Sequence, residues 1–167
     1  MSEYTVFGPY RIPVDKKYVG RRIGDFAAFW DTASDFKDMV GCYVFGMSAG
    51  KGIVPYYVGK TTKCFEAECF TSHKTEKYNE ALSEYKRGRP VMFFVTAFKK
   101  KGKMNRKEIH LMEDFLIQVG LARNEQLLNI KGTKQERWSI THIVRGGIGK
   151  PTKPEGKFKS MMGLHRK

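Results

Sequence analysis

Residues 41–59, GCYVFGMSAGKGIVPYYVG, decide the fold of this chain. Aromatic and β-branched residues fill two short runs, 41–45 and 54–59, and the glycine-rich segment 48–52 separates them. Runs of this composition on either side of a glycine-rich turn are typical of two antiparallel strands. We therefore predict a β-hairpin.

The elements that follow the hairpin predict a mixed fold. The run 90–98 is apolar on both alternating faces, as in a strand that is covered on both sides. Helical patterns and one more strand pattern complete the prediction: helices over 64–73, 79–87 and 105–121, the last capped by Asn105, and a strand over 138–144. The fold class predicted is α+β, with a small antiparallel sheet of about three strands flanked by helices.

The length of 167 residues fits one ordinary domain with extensions. We predict an N-terminal extension over 1–40, a core over 41–130 and a basic C-terminal extension over 131–167. The N-terminal extension contains one amphipathic helix over 25–39 with four aromatic side chains for burial: Phe26, Phe29, Trp30 and Phe36.

The net charge of +14 is the unusual feature of the composition. Residues 125–167 hold ten basic and three acidic side chains, whereas 1–40 hold six of each. A positive field of this size favours polyanions as partners.

Membrane and secretory classes are not expected. No uncharged apolar run reaches the roughly 18–20 residues of a membrane-spanning helix, and residues 1–10 lack the pattern of a signal peptide. We expect a cytoplasmic protein without a membrane partner. The odd number of cysteines, three, is typical of reduced thiols.

Glu113 is the most informative residue of the predicted long helix. Helical spacing places it within an apolar stripe that we predict to be buried: Ile109, Met112, Leu116 and Val119. A carboxylate on an apolar face is costly unless a cation, a metal or several donors meet it. Two interpretations stay open, an internal salt bridge with a lysine or arginine and a metal ligand.

Tyr43 and Tyr57 occupy comparable places on the two hairpin strands, so both phenols are expected on one face. Gly59 leaves room for a close approach by another backbone or a ligand. The ammonium group of Lys60 is expected to favour the phenolate and to lower the pKa of a neighbouring tyrosine.

These residues, taken in order, resemble the GIY-YIG endonuclease domain. The resemblance covers about residues 41–129 and consists of four landmarks: Gly41-Cys42-Tyr43, Tyr57-Val58-Gly59-Lys60, a helix with Glu113 before Leu116-Ile117, and Leu127-Leu128-Asn129.

The resemblance implies a metal-dependent endonuclease that cuts phosphodiester bonds of nucleic acid, with DNA favoured over RNA. In that family the helical glutamate binds the metal, so Glu113 would hold Mg²⁺ or Mn²⁺. Tyr43 would orient or deprotonate the attacking water, and Tyr57 and Lys60 would contact the scissile phosphate. Asn129 would support the geometry of the site.

The chain departs from the family at Glu68, where the family has an arginine that stabilises the transition state. Losing that charge ordinarily costs several kcal/mol of transition-state stabilisation, of the order of a lost oxyanion-hole donor. The replacement allows two interpretations, a second metal ligand in a rebuilt site or a solvated residue in a domain that binds without cutting.

Other side chains are candidates for the missing function. His73 lies near a position where the family often has a His or Tyr, and it is a candidate to donate a hydrogen bond to phosphate. Three lysines are candidates for the missing charge: Lys60, Lys63 and Lys74. A zinc site built on Cys64, Cys69 and His73 is the weaker alternative to buried thiols, because its spacing is not standard.

Two lysine-rich regions are candidates for contacts with the nucleic-acid backbone, the alternative being solvated charge: Lys99, Lys100, Lys101 and Lys103, and Lys150, Lys153, Lys157 and Lys159. No base-reading motif accompanies them. Besides the endonuclease, a non-catalytic nucleic-acid-binding module and, more weakly, a protein-interaction domain remain as alternatives.

Overall fold

The computed structural model describes residues 3–15, 20–50, 52–85, 88–97, 105–129, 150 and 152–161, without the side chain of Lys159. The predicted strand 138–144 lies outside these residues. The chain divides into two compact units, Met1–Thr133 and Lys134–Lys167. The second unit contains one described helix, which we call α5 (Lys153–Met161).

The first unit contains six strands and four α-helices among its described residues. In chain order they are β1 (Thr5–Arg11), β2 (Val14–Asp15), β3 (Arg22–Ile23), α1 (Phe26–Thr32), β4 (Gly41–Ala49), β5 (Gly52–Thr61), α2 (Phe65–Cys69), α3 (Ser72–Ser83), β6 (Arg89–Thr96) and α4 (Arg106–Arg123). A 3-10 turn, Ser34–Phe36, lies between α1 and β4.

The main sheet confirms the α+β class and has four strands, where the sequence predicts about three. The strand order is β1-β6-β4-β5, and all pairs are antiparallel. The additional strand is β1, whose pairing with β6 shifts register between Phe7 and Tyr10. Gly8 and Pro9 interrupt the alternation there, which hides the strand from a pattern based on period two.

The predicted hairpin is present as β4 and β5, and both strands are longer than the predicted runs. Gly50 in the turn has φ 51°, a left-handed conformation that glycine adopts without strain. The pairing shifts between Phe45 and Gly46 on β4, where Tyr56 is the extra residue on β5. Beyond this bulge Tyr43 pairs with Gly59.

Helices cover both faces of the sheet. On one face α1, α2 and α3 enclose the principal core, whose aromatic members include Phe29, Phe36, Tyr43, Phe45, Phe65, Tyr78 and Phe94. The rings of Phe45 and Tyr78 stack with centroids 4.2 Å apart. On the other face α4 packs against β5 and β4, with Ile109 and Ile117 buried.

Several helix boundaries differ from the prediction. Helix α1 ends at Thr32 before the 3-10 turn, so the predicted helix 25–39 is shorter. The extended backbone of Thr71 ends the predicted helix 64–73 early and separates α2 from α3. Helix α3 spans Ser72–Ser83, whereas the sequence predicts 79–87.

The buried face of α4 differs from the predicted stripe at Val119, which is half exposed. Ile117 is buried instead, because Gly120 lets Leu127 pack closely against the same face of the helix. Among the described helices, none combines the length and apolar character that crossing a membrane requires.

We predict that Gly59→Ala destabilises the protein. A Cβ atom at Gly59 would lie 2.3 Å from the ring of Tyr43, which is fully buried and cannot move freely. Overpacking of this kind costs about 1–3 kcal/mol of unfolding free energy. Urea denaturation measures the effect, with Gly52→Ala on the same strand as the control, because a Cβ atom there meets no atom within 4 Å. Equal stabilities of the two variants would contradict the packing argument.

Candidate active site

The two predicted tyrosines lie side by side on one face of the hairpin. Tyr43 pairs with Gly59 and Tyr57 pairs with Phe45, so the tyrosines are diagonal neighbours, with ring centroids 6.4 Å apart. The ring that approaches Gly59 closely is that of Tyr43 itself. Tyr43 is fully buried, whereas Tyr57 is half-buried.

Lys60 and Glu113 form an ion pair on the opposite face of the sheet. Lys60 pairs with Cys42, and this face is covered by α4, which carries Glu113. The Lys60 ammonium donates a hydrogen bond to the Glu113 carboxylate. The side chains are 26% and 15% exposed, so the pair is shielded but reachable from solvent. The salt-bridge interpretation of Glu113 is therefore the one that the structure shows.

Glu68 and Lys74 form a second ion pair, beside Tyr43. The Lys74 ammonium donates to the Glu68 carboxylate and, at 2.8 Å, to the Glu68 backbone carbonyl. The Lys74 ammonium lies 5.5 Å from the centroid of the Tyr43 ring, a cation–π distance. The chain thus places a cation next to Glu68, on α3, although it has no arginine on α2.

Tyr57 lies within electrostatic reach of both ion pairs. After burial, the Glu113 and Glu68 carboxylates are the groups that raise the pKa of Tyr57, to about 12. Glu113 is on α4, which covers one face of the sheet, whereas Tyr57 packs with Tyr43 on the other face. β5, which carries Tyr57, is an edge strand.

The predicted lowering of a tyrosine pKa by Lys60 is wrong. Burial raises the pKa of Tyr43 far above its usual value, and burial followed by two carboxylates raises that of Tyr57. The charge of Lys60 is compensated by Glu113, so it does not favour a phenolate. Both tyrosines are protonated near neutral pH, so neither hydroxyl is a base.

We refer to Tyr43, Tyr57 and the two ion pairs as the cluster. Lys77 also belongs to the cluster, although it is not among the predicted site residues. Its ammonium lies 5.2 Å from the centroid of the Tyr57 ring and donates to the Leu128 carbonyl. Burial lowers the pKa of Lys77. In the sequence, Lys77 lies three residues after Lys74 and one residue before the buried Tyr78. Because these positions share one helix face, this spacing is the sequence signal that would place Lys77 near the site.

Asn129 acts on the backbone of β5. Its side-chain amide accepts from the Val58 N–H at 2.9 Å and donates to the Val58 carbonyl at 2.7 Å. The neighbouring Leu128 N–H donates to the Tyr56 carbonyl at 2.8 Å. The segment before and including Asn129 thus pairs with the edge strand, which holds Tyr57 in place.

The remaining predicted residues are not brought to the cluster by any described contact. His73 is exposed on α3, and no hydrogen bond or ion pair of the described residues joins it to Tyr43, Tyr57 or Glu113. Three lysines predicted to contact the nucleic-acid backbone belong to the second unit, and their side chains are exposed: Lys150, Lys153 and Lys157. Other predicted contacts lie outside the described residues: Lys99, Lys100, Lys101, Lys103 and the side chain of Lys159.

The donor chemistry fits a hard divalent cation at Glu113. Mg²⁺ keeps several waters and is commonly held by one or two carboxylates together with substrate phosphates. Glu113 is a partly exposed carboxylate that suits this role. A cage of three or more His, Cys, Asp or Glu side chains is absent from the described residues.

Comparison of the chain with protein-family models, with curated proteins and with solved structures finds no match in any of the three. The resemblance to GIY-YIG endonucleases therefore rests on the four sequence landmarks alone.

We predict that Tyr43→Phe stabilises the protein. The Tyr43 hydroxyl is buried and has no hydrogen-bond partner among the described residues, so its removal relieves an unpaired polar group, a gain of about 1 kcal/mol. Thermal or urea unfolding measures it. Tyr56→Phe is the matched control, because the Tyr56 hydroxyl is hydrogen-bonded to the Glu84 carboxylate at 3.0 Å and to the Tyr85 hydroxyl at 2.9 Å; this variant is expected to lose about 1 kcal/mol. A loss of stability in Tyr43→Phe would show that the hydroxyl has a partner.

Proposed function

We propose that the chain is a metal-dependent endonuclease that hydrolyses phosphodiester bonds of nucleic acid. The observation that carries the proposal is the pair of ammonium–carboxylate contacts, Lys60–Glu113 and Lys74–Glu68, whose carboxylates both raise the pKa of Tyr57. Metal-dependent phosphodiester hydrolysis uses carboxylates for the cation and positive groups for the phosphate, and these contacts supply both.

Glu113 would hold Mg²⁺ or Mn²⁺. When bound, such an ion polarises a phosphoryl oxygen and lowers the pKa of a coordinated water. If Glu113 held a cation, the Lys60 ammonium would be released to pair with a phosphate oxygen. The Lys60–Glu113 pair would thereby supply two functions, a metal ligand and a phosphate contact.

Lys74 would stabilise the negative charge that develops on the phosphate, in the role of the missing arginine. It is 8% exposed, and two hydrogen bonds to Glu68 fix its ammonium beside Tyr43. A cation held in this way needs little reorganisation during the reaction. Glu68 acts in this proposal as the residue that positions Lys74.

Tyr57 would donate a hydrogen bond to a phosphate oxygen or to the attacking water. Its pKa of about 12 keeps the hydroxyl protonated near neutral pH, so removal of the water proton falls to another group. Tyr43 contributes the packing that sets the hairpin register. DNA is the proposed substrate, since the resemblance favours it over RNA and the net charge of +14 favours a polyanion.

The second candidate function is a nucleic-acid-binding module without catalysis. It is favoured by the mutual neutralisation of the charges, because Glu113 with Lys60 and Glu68 with Lys74 form a balanced cluster without any metal. Such a module binds nucleic acid in a salt-dependent manner and does not depend on Mg²⁺ or Mn²⁺.

We predict that Glu113→Gln abolishes conversion of supercoiled plasmid to open circles in the presence of Mg²⁺ or Mn²⁺. The substitution keeps the shape and removes the charge that would hold the metal, so the rate should fall by at least about 100-fold. Asp114→Asn is the matched control, since Asp114 is the next residue of α4 and is exposed. Its rate is expected to equal that of the unsubstituted protein.

Calorimetric titration with Mn²⁺ separates the two candidate functions. Binding by the unsubstituted protein that is lost in Glu113→Gln supports the endonuclease. No metal binding and no cleavage by the unsubstituted protein would overturn the endonuclease proposal and leave the binding module.

We also predict that Lys74→Met lowers the cleavage rate by about 10²–10³, the usual effect of removing one preorganised donor at a developing charge. The apparent affinity for plasmid should change little, because the effect belongs to the transition state. Lys107→Met is the control, as Lys107 is an exposed lysine in the first turn of α4. Equal rates for the two variants would remove Lys74 from the mechanism.

A further inference from the structure

A second basic feature lies at the other end of the sheet. A cavity of about 320 Å³ is lined by residues from the ends of β1 and β6, the segments around β2 and β3, and α1: Arg11, Pro13, Val14, Arg21, Ala28, Thr32, Arg89 and Pro90. Three of the lining residues are arginines, and none is acidic. A volume near 300 Å³ accommodates a small ligand group.

The cavity is far from the proposed active site. On β4, Ser48 pairs with Arg89 and Cys42 pairs with Lys60. Six residues of extended strand, at about 3.4 Å each, separate these positions by about 20 Å. The two features therefore contact different groups of any bound molecule.

The positive charge of Arg21 is held in place, and Arg21 forms no ion pair within the described part of the chain. Its two terminal guanidinium nitrogens donate to the backbone carbonyls of Tyr85, at 2.7 Å, and of Gly88. Carbonyl acceptors orient the guanidinium group without neutralising it. A charge held in place by the fold loses less freedom when a ligand binds.

Arg11 and Arg89 add two more uncompensated charges. Both are exposed, and the ion pairs formed within the described part of the chain involve lysines only: Lys37–Glu66, Lys60–Glu113 and Lys74–Glu68. Three guanidinium groups around one cavity repel each other, and an anion relieves that repulsion.

We propose that this cavity binds a phosphate group, supplied by the backbone of a nucleic acid. Guanidinium groups match the geometry of phosphate oxygens and form bidentate hydrogen bonds with them. The apolar lining of Pro13, Val14, Ala28 and Pro90 leaves the arginines as the charged groups that select the ligand. The cavity anchors the nucleic acid about 20 Å from the proposed active site, a distance estimated from the strand rise.

The test compares two double variants that remove the same charge. Arg11→Gln with Arg89→Gln alters the cavity and leaves Arg21 and its carbonyl contacts intact. Arg106→Gln with Arg123→Gln alters exposed residues at the two ends of α4. Thermal unfolding establishes that both variants are folded, and the single variants Arg11→Gln and Arg89→Gln serve if a double variant is not.

Binding of a fluorescent 20-nucleotide duplex is measured over a range of salt concentrations without divalent metal. The slope of log affinity against log salt is expected to become shallower by about 0.9 in the cavity variant, because the cavity neutralises one phosphate and each neutralised phosphate contributes about 0.9. The α4 variant is expected to change less than half as much. This result supports the anchor even if no cleavage or metal binding is observed, so it is independent of the proposed enzymatic function.

A second measurement identifies the source of the phosphate. Inorganic phosphate is compared with chloride at equal ionic strength for its effect on the unfolding temperature. A rise with phosphate that is lost only in the cavity variant, together with equal duplex slopes in both variants, supports a phosphate site that takes a free anion. Equal duplex slopes and an equal response to phosphate in both variants would overturn the proposal.

Discussion

The contact of the Tyr43 ring with Gly59 is the constraint on which the candidate site depends. It requires a residue without Cβ on β5 directly opposite a large ring on β4. A shift of the hairpin by one residue would place a side chain against the ring and turn the alternating residues of β5 to the other face of the sheet. The contact therefore fixes Tyr57 beside Tyr43, and it fixes Lys60 on the face covered by α4.

β5 is an edge strand, and the candidate site includes residues from both faces of the sheet at this edge. Side chains on opposite faces of a sheet are normally separated by the sheet itself, but an edge strand has no neighbour on one side. The segment ending at Asn129 pairs with the middle of this edge, directly beside Tyr57. The hydrogen bonds from Leu128 and Asn129 thus protect the edge of β5, and the same hydrogen bonds hold Tyr57 in place.

Much of the fold could be predicted from local patterns, and the site only partly. The hairpin and the third strand have period-two or continuous apolar patterns, whereas Gly8 and Pro9 conceal the pattern of β1. Glu113 stood out because a carboxylate within an apolar stripe needs a partner, but its partner, Lys60, is 53 residues away in the sequence. The raised tyrosine pKa values depend on burial, and a spacing argument that considered only the ammonium of Lys60 gave the wrong direction.

The two ion pairs have a consequence for how selection can act on this protein. Their four charges sum to zero, so the cluster contributes little to the long-range potential of a chain with a net charge of +14. Attraction of a polyanion is left to residues elsewhere on the surface. In the proposed function, changes to those residues would alter how often and where a nucleic acid arrives, whereas changes around Tyr57 would alter the reaction. Capture and reaction would then depend on separate groups of residues.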